Sequence, residues 1–136
     1  MSDVFVDTAA WLALLNSRDK YHKDANQMMA KLRQQKQKLI TTDFVLLEVA
    51  DALAAPDFRA QTIRFINSLR QTPFLTIVPV SKSLYEEAWQ FYSKRPDKAW
   101  GLTDCSSFVI MQQEHITVAF TADHYFVQAG YQKLLE

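Results

Sequence analysis

Apolar residues along this chain alternate between two periods. Short unbroken runs rich in β-branched and aromatic residues occur at Val4-Phe5-Val6, Leu39-Ile40-Thr41, residues 74–80 (FLTIVPV) and residues 116–120 (ITVAF). Runs of this kind read as strands buried on both faces. Between them the spacing turns helical. Residues 9–16 (AAWLALLN) are apolar almost all round, as suits a covered helix. From Tyr21 the residues Tyr21, Ala25, Met28, Met29 and Leu32 mark one face, and in residues 57–69 Phe58, Thr62, Phe65, Ile66 and Leu69 point inward, after Pro56 ends the preceding helix. Leu84, Ala88, Phe91 and Tyr92 mark another helix, which Ser81 or Ser83 caps. Residues 93–101 (SKRPDKAWG) form a polar loop, Gly130 stops a short helix, and residues 131–134 supply a fifth strand. Strands alternating with helices imply a three-layer α/β/α domain around a parallel sheet of about five short strands, joined by right-handed crossovers.

In an open parallel sheet, ligands bind beyond the carboxyl ends of the strands. The first strand ends at Asp7-Thr8 and the fourth at Thr121-Ala122-Asp123, so two strands deliver an aspartate to one edge. Asp104, in Leu102-Thr103-Asp104, stands where a new helix begins. Glu48 interrupts residues 44–54 (FVLLEVADALA), where helical spacing puts Phe44, Leu47, Glu48 and Asp51 along one side. The expectation is a carboxylate held among core-forming residues. Singly, each acid has a plain alternative: Asp7, Asp43 and Asp104 fit N-cap positions, Asp123 fits the cap of the last short helix, and Glu48 fits a pairing with arginine or backbone. Together they do not. Like charges about 4 Å apart cost roughly 4 kcal/mol per pair at an effective dielectric near 20, more than a few capping bonds offset. A cation is required. All-oxygen ligation without clustered Cys or His selects Mg²⁺ or Mn²⁺ over Zn²⁺. Such an ion lowers the pKa of a water and neutralises charge growing on a phosphate, which suits phosphodiester hydrolysis.

Val4-Phe5-Val6-Asp7-Thr8, Thr41-Thr42-Asp43-Phe44-Val45-Leu46-Leu47-Glu48, Leu102-Thr103-Asp104 and Thr121-Ala122-Asp123-His124-Tyr125-Phe126 with Ala129-Gly130 resemble the PIN-domain family, most nearly its VapC-type toxins and their PIN-like relatives. The resemblance covers nearly the whole chain in the family's order. It implies a metal-dependent endoribonuclease in which Asp7, Glu48, Asp104 and Asp123 are the acidic cluster and metal ligands; Thr8 and Thr121 are candidates to orient the ligands or a metal-bound water, with helix and strand-end capping as an equal alternative. It further implies RNA products with 5′-phosphate and 3′-hydroxyl ends, a homodimer, and a small antitoxin as partner. Ala9 departs from the family pattern, since many relatives carry a second hydroxyl after the Asp-Thr pair. A non-catalytic PIN-like module that binds RNA or protein is the alternative. A phosphotransfer domain built on Asp7 lacks the second Asp that haloacid-dehalogenase-like enzymes place two residues on, where Ala9 stands.

The 136 residues fit one domain, 1–136, with surface enough to bury for a core. Fifteen basic residues balance fifteen acidic ones, so the overall field does not attract nucleic acid and any RNA must meet a local patch. Two patches qualify: the cations from Lys31 to Lys38, and Lys94, Arg95 and Lys98 beside Trp100, where a base could stack or the ring could instead close over the core. Helix-terminal or solvated charge explains both patches equally well. The three histidines are too scattered for a cluster. A lone Cys105, the lack of a signal-like start and the lack of a membrane-length apolar run lead to the expectation of a reduced cytoplasmic protein with no membrane partner.

Overall fold

Each strand of the sheet is only as long as its apolar run. The computed structural model describes residues 2–136. In chain order the strands are β1 (Val4–Val6), β2 (Leu39–Thr42), β3 (Leu75–Val78), β4 (Val118–Phe120) and β5 (Gln132–Lys133). They lie in the order β3-β2-β1-β4-β5, every neighbouring pair parallel. Phe5 sits in register with Ile40 on one side and with Ala119 on the other. The two most buried strands, β1 and β2, have every residue covered, as a sheet with helices on both faces requires. The expected three-layer architecture is observed.

The helices are α1 (Thr8–Leu15), α2 (His22–Gln34), α3 (Asp43–Ala52), α4 (Pro56–Leu69), α5 (Lys82–Ser93), α6 (Leu102–Gln113) and α7 (His124–Gln128). Their ends follow local chemistry. Thr42, rather than Asp43, caps α3 by accepting the Val45 N–H at 3.1 Å, and Ser81 caps α5 by accepting the Leu84 N–H at 3.0 Å. Pro56 does not end α3. It opens α4, where its missing N–H would have had no partner in any case. Gly130, at φ 98°, follows α7 and lets the Tyr131 N–H return to the Phe126 carbonyl at 2.9 Å, a conformation that disfavours any side chain.

Aromatic rings fill the space between sheet and helices. Phe126 lies 6.4 Å from Phe5 and packs edge-on to Phe108 at 5.0 Å. On the other face Trp11 donates its indole N–H to Thr41 Oγ1 at 3.2 Å, and that hydroxyl donates to the Val6 carbonyl at 2.8 Å, tying α1 to β1 and β2. Among the described residues no helix is long and apolar enough to cross a membrane.

The expected side of α3 exists but faces the other way. Val45, Leu46 and Val49 are buried, while Leu47, Glu48 and Asp51 are exposed and Phe44 is half-buried. Both faces carry apolar residues, and the one with no charge is turned to the core, leaving the carboxylates in water. Glu48 is therefore not held among core residues. Tyr92, read as part of the inward face of α5, is likewise exposed.

Candidate active site

β1 and β4 are adjacent, and the Asp7 N–H donates to the Phe120 carbonyl at 3.1 Å just where both strands end. Asp7 occupies the N-cap position of α1 with extended backbone, φ −92° and ψ 165°, yet its side chain makes no capping bond. The carboxylate instead accepts the Thr121 hydroxyl at Oδ2, 2.8 Å away. Thr121 Oγ1 in turn accepts the Asp123 N–H at 3.0 Å. One fully buried hydroxyl thus fixes both aspartates, and Asp7 itself is only 3% exposed.

The other acids approach from helix starts. Asp104 lies in the first turn of α6, where its Oδ2 accepts the Gly101 N–H at 2.9 Å, half of a capping box. Asp123 is the N-cap of α7 and accepts the Tyr125 N–H at Oδ1, 2.9 Å. Glu48 stands at the exposed rim on α3. Thr8 Oγ1 is buried and, among the described residues, is the one buried side-chain polar atom without a hydrogen-bond partner. An orphaned hydroxyl beside a buried carboxylate is an unmet demand for a polar ligand.

Electrostatics couples the four acids. Burial pushes the Asp7 carboxyl up to about 7; the Thr121 hydroxyl and the Thr8 N–H oppose the shift, and the charges of Asp104 and Asp123 add to it. Asp104 is raised to about 6, chiefly by burial, against the Gly101 N–H and with Asp123 and Glu48 adding. Burial also raises the neighbouring Cys105 thiol to about 11; Asp104 reinforces that shift and Arg95 opposes it. No lysine or arginine relieves the cluster: the ion pairs among the described residues are Lys98–Asp97 at 3.8 Å and, conditional on protonation, His124–Asp123 at 3.9 Å.

As the side chains stand, no three of the described His, Cys, Asp and Glu residues converge tightly enough to hold an ion. The carboxylates nonetheless lie within electrostatic reach of one another, with Asp104 and Asp123 each turned onto a backbone N–H. Side-chain rotation about either capped aspartate alters ligating distances without moving the backbone. The donor set suits a hard divalent cation: it is all oxygen, acidic, partly desolvated and, among the described residues, free of paired lysine or arginine. The cleft between α5 and α6, lined by residues such as Glu87, Phe91 and Gln113, lies away from these acids. Charge, not volume, marks the site.

The structure therefore gathers Asp7, Asp104, Asp123, Thr8 and Thr121 at one edge and leaves Glu48 at its rim. Of the two readings of Trp100, the structure shows the ring closed over the core: it is 6% exposed, packs edge-on to Phe108 at 5.1 Å and donates its N–H to Gln128 Oε1 at 3.0 Å. Arg95 and Lys98 stay exposed in the loop before α6. His124 is exposed, His115 lies in the turn before β4, and His22 bonds the Ala13 carbonyl through Nδ1 at 2.7 Å. Sequence reasoning missed Gly101, whose N–H restrains Asp104; the signal was an acidic residue three positions after a helix start.

A profile of the PIN domain matches residues 4–130. The 23S rRNA-specific endonuclease VapC20 of Mycobacterium tuberculosis, from strains CDC 1551 / Oshkosh and H37Rv, is 26% identical over 128 residues, covering 94% of this chain and 95% of the relative. The crystal structure of M. tuberculosis VapC20, described as a Sarcin-Ricin loop cleaving toxin, matches with a TM-score of 0.85 at 24% identity over 98% of this chain and 100% of that one. FitAcB from Neisseria gonorrhoeae matches at a TM-score of 0.64 and 14% identity, covering 96% and 95% of the two chains. DNA-bound VapBC from Salmonella typhimurium matches at 0.65 and 9%, covering 98% and 97%. At such identities the solved structures bear on the fold alone. The profile, by contrast, spans almost every element from β1 to Gly130, and both aspartate-bearing strand ends lie inside it: the chain belongs to the PIN-domain family.

Proposed function

We propose that this PIN-domain protein is a divalent-metal-dependent endoribonuclease and the toxin of a VapBC-like toxin–antitoxin pair. The observation that carries the reading is Asp7: a carboxylate 3% exposed, with its pKa raised to about 7, facing other acids and no basic partner. Mg²⁺ or Mn²⁺ held by Asp7, Asp104 and Asp123, with Glu48 at the rim, would neutralise charge on a phosphodiester and lower the pKa of an attacking water.

The residues of the chain position and orient. Thr121 holds Asp7 Oδ2 and the Asp123 backbone in one frame, so both residues reach the edge from a common anchor. Gly101 restrains one oxygen of Asp104 and leaves the other for a ligand. Thr8 Oγ1, without a protein partner, is placed to bond a water or a phosphate oxygen. Asp7 and Asp104 must both shed their protons before a cation is held, which ties activity to neutral or higher pH.

RNA is the inferred substrate, and the name of the M. tuberculosis relative makes ribosomal RNA the first one to offer. The same relative is described as a toxin and the Salmonella neighbour is a VapBC assembly, which supports a small antitoxin as partner. The exposed Leu47 of α3 and Tyr85 and Trp89 of α5 support a homodimer: Tyr85 lies 6.3 Å from Phe44, so the two helices offer one apolar surface. The test is cleavage of total ribosomal RNA by purified protein with Mg²⁺ or Mn²⁺, with EDTA, and by Asp104→Asn. Metal-dependent cutting lost in the variant is the expected result. RNA binding without cutting under every metal condition would install the non-catalytic module in its place.

A further inference from the structure

The connection between α5 and α6, residues 94–101, carries Lys94, Arg95 and Lys98 and ends on the glycine whose N–H restrains Asp104. A cavity of about 360 Å³ opens within it, lined by Arg95, Pro96, Lys98 and Trp100 among others. Its two cations are braced rather than free. The Arg95 guanidinium lies 5.2 Å over the Phe91 ring, and Lys98 Nζ lies 5.8 Å from the centre of the Trp100 ring. Trp100 is itself locked by Gln128 and Phe108, so the floor of the cavity is rigid. The one acid in the loop, Asp97, pairs with Lys98 at 3.8 Å, but that contact is solvent-exposed and contributes little. Arg95 faces no carboxylate partner among the described residues.

We propose that this cavity is a phosphate-binding subsite in which Arg95 and Lys98 hold the backbone of an RNA strand beside the scissile bond. The proposal rests on the ribonuclease reading and adds to it a place where the strand is gripped. In a protein of zero net formal charge, a polyanion needs a local positive contact to offset the acidic edge. This contact stands six to nine residues before Asp104 in the chain, and Trp100, which lines the cavity, adjoins the Gly101 whose N–H bonds Asp104. Phosphate contacts position a strand without reading its sequence, so the subsite sets register and not base preference.

The test measures binding of a short fluorescent single-stranded RNA to Asp104→Asn protein, which does not cut it, across a salt series. The same protein carrying Arg95→Gln and Lys98→Gln is compared with an Arg64→Gln/Arg70→Gln control on the exposed α4 side. The expected result is a Kd raised about tenfold or more by the loop pair. The slope of log K against log salt should fall by about 0.7 for each lost contact, while the control keeps the parent slope. In cutting-competent protein the loop pair should raise KM more than it lowers kcat. Should the double variant misfold, Lys98→Gln alone reads one contact's worth of slope. A parent protein that cuts RNA while the loop variants keep its Kd, slope and KM would overturn the subsite alone. A parent that neither binds nor cuts RNA would remove the ribonuclease reading as well.

Discussion

Asp7→Asn removes the charge that folding most opposes. The Asp7 carboxyl moves from an ordinary 3.8 to about 7 in the folded chain, and each unit is about 1.36 kcal/mol, so holding it ionised costs on the order of 4 kcal/mol. Because the folded pKa is the higher one, the folded state binds more protons than the unfolded state between those two values. Stability is therefore fully present below about 3.8, declines as pH rises, and is at its floor above about 7. Asparagine has nearly the same shape, cannot ionise and can still accept the Thr121 hydroxyl. Its new amide donor has no acceptor where Asp7 accepts the Thr121 hydroxyl, which gives back about 1–3 kcal/mol. The variant should thus be more stable than the parent by about 1–3 kcal/mol at pH 8 in EDTA, or several degrees in Tm for a domain of this size. The advantage should vanish or reverse near pH 4. Thermal melts by circular dichroism at both pH values, with EDTA throughout, read the difference. A variant that is less stable than the parent by the same amount at both pH values would refute the reasoning, since Asp7 would then be an ordinary structural hydrogen-bond acceptor.

Asp104→Asn keeps an acceptor for the Gly101 N–H, so in EDTA at pH 8 it should melt at or slightly above the parent temperature while losing more than about a hundredfold in RNA cleavage; clear destabilisation would assign Asp104 to the cap alone. Adding Mn²⁺ at a hundred times its Kd should stabilise the parent by about 2.7 kcal/mol and Asp7→Asn far less, read by differential scanning calorimetry. That gain should shrink as pH falls through about 7 and then about 6, because protons on Asp7 and Asp104 compete with the ion; a pH-independent gain would place the ion elsewhere. Thr121→Val strips the buried Asp7 carboxylate of its hydroxyl donor and should cost about 1–3 kcal/mol and most of the cleavage, with Thr121→Ser restoring both.

The aspartates at the ends of β1 and β4 were legible because a short apolar run followed at once by an acid has one meaning in a parallel sheet. What could not be read was which strands are neighbours: nothing in residues 4–6 and 118–120 says that they pair, and that pairing brings Asp7 to Thr121. Glu48 was misplaced for a different reason. Helical spacing groups residues into faces without saying which face is covered, and in α3 both contain leucine. Trp100 has a cationic neighbour and an apolar ring, which serves a binding surface and a core equally well until Gln128 and Phe108, distant in sequence, close over it. Thr42 outcompeted Asp43 as the cap of α3 by one position, a margin finer than residue type resolves.

The pairing of β1 with β4 also bears on synthesis. Thr121 lies 114 residues beyond Asp7, so the oxygens that Thr121 and Asp123 bring to the edge are added long after Asp7. A nascent or prematurely terminated copy that stops short of residue 121 holds Asp7 without the Thr121 hydroxyl and the Asp123 carboxylate, so the acidic edge is not assembled in it.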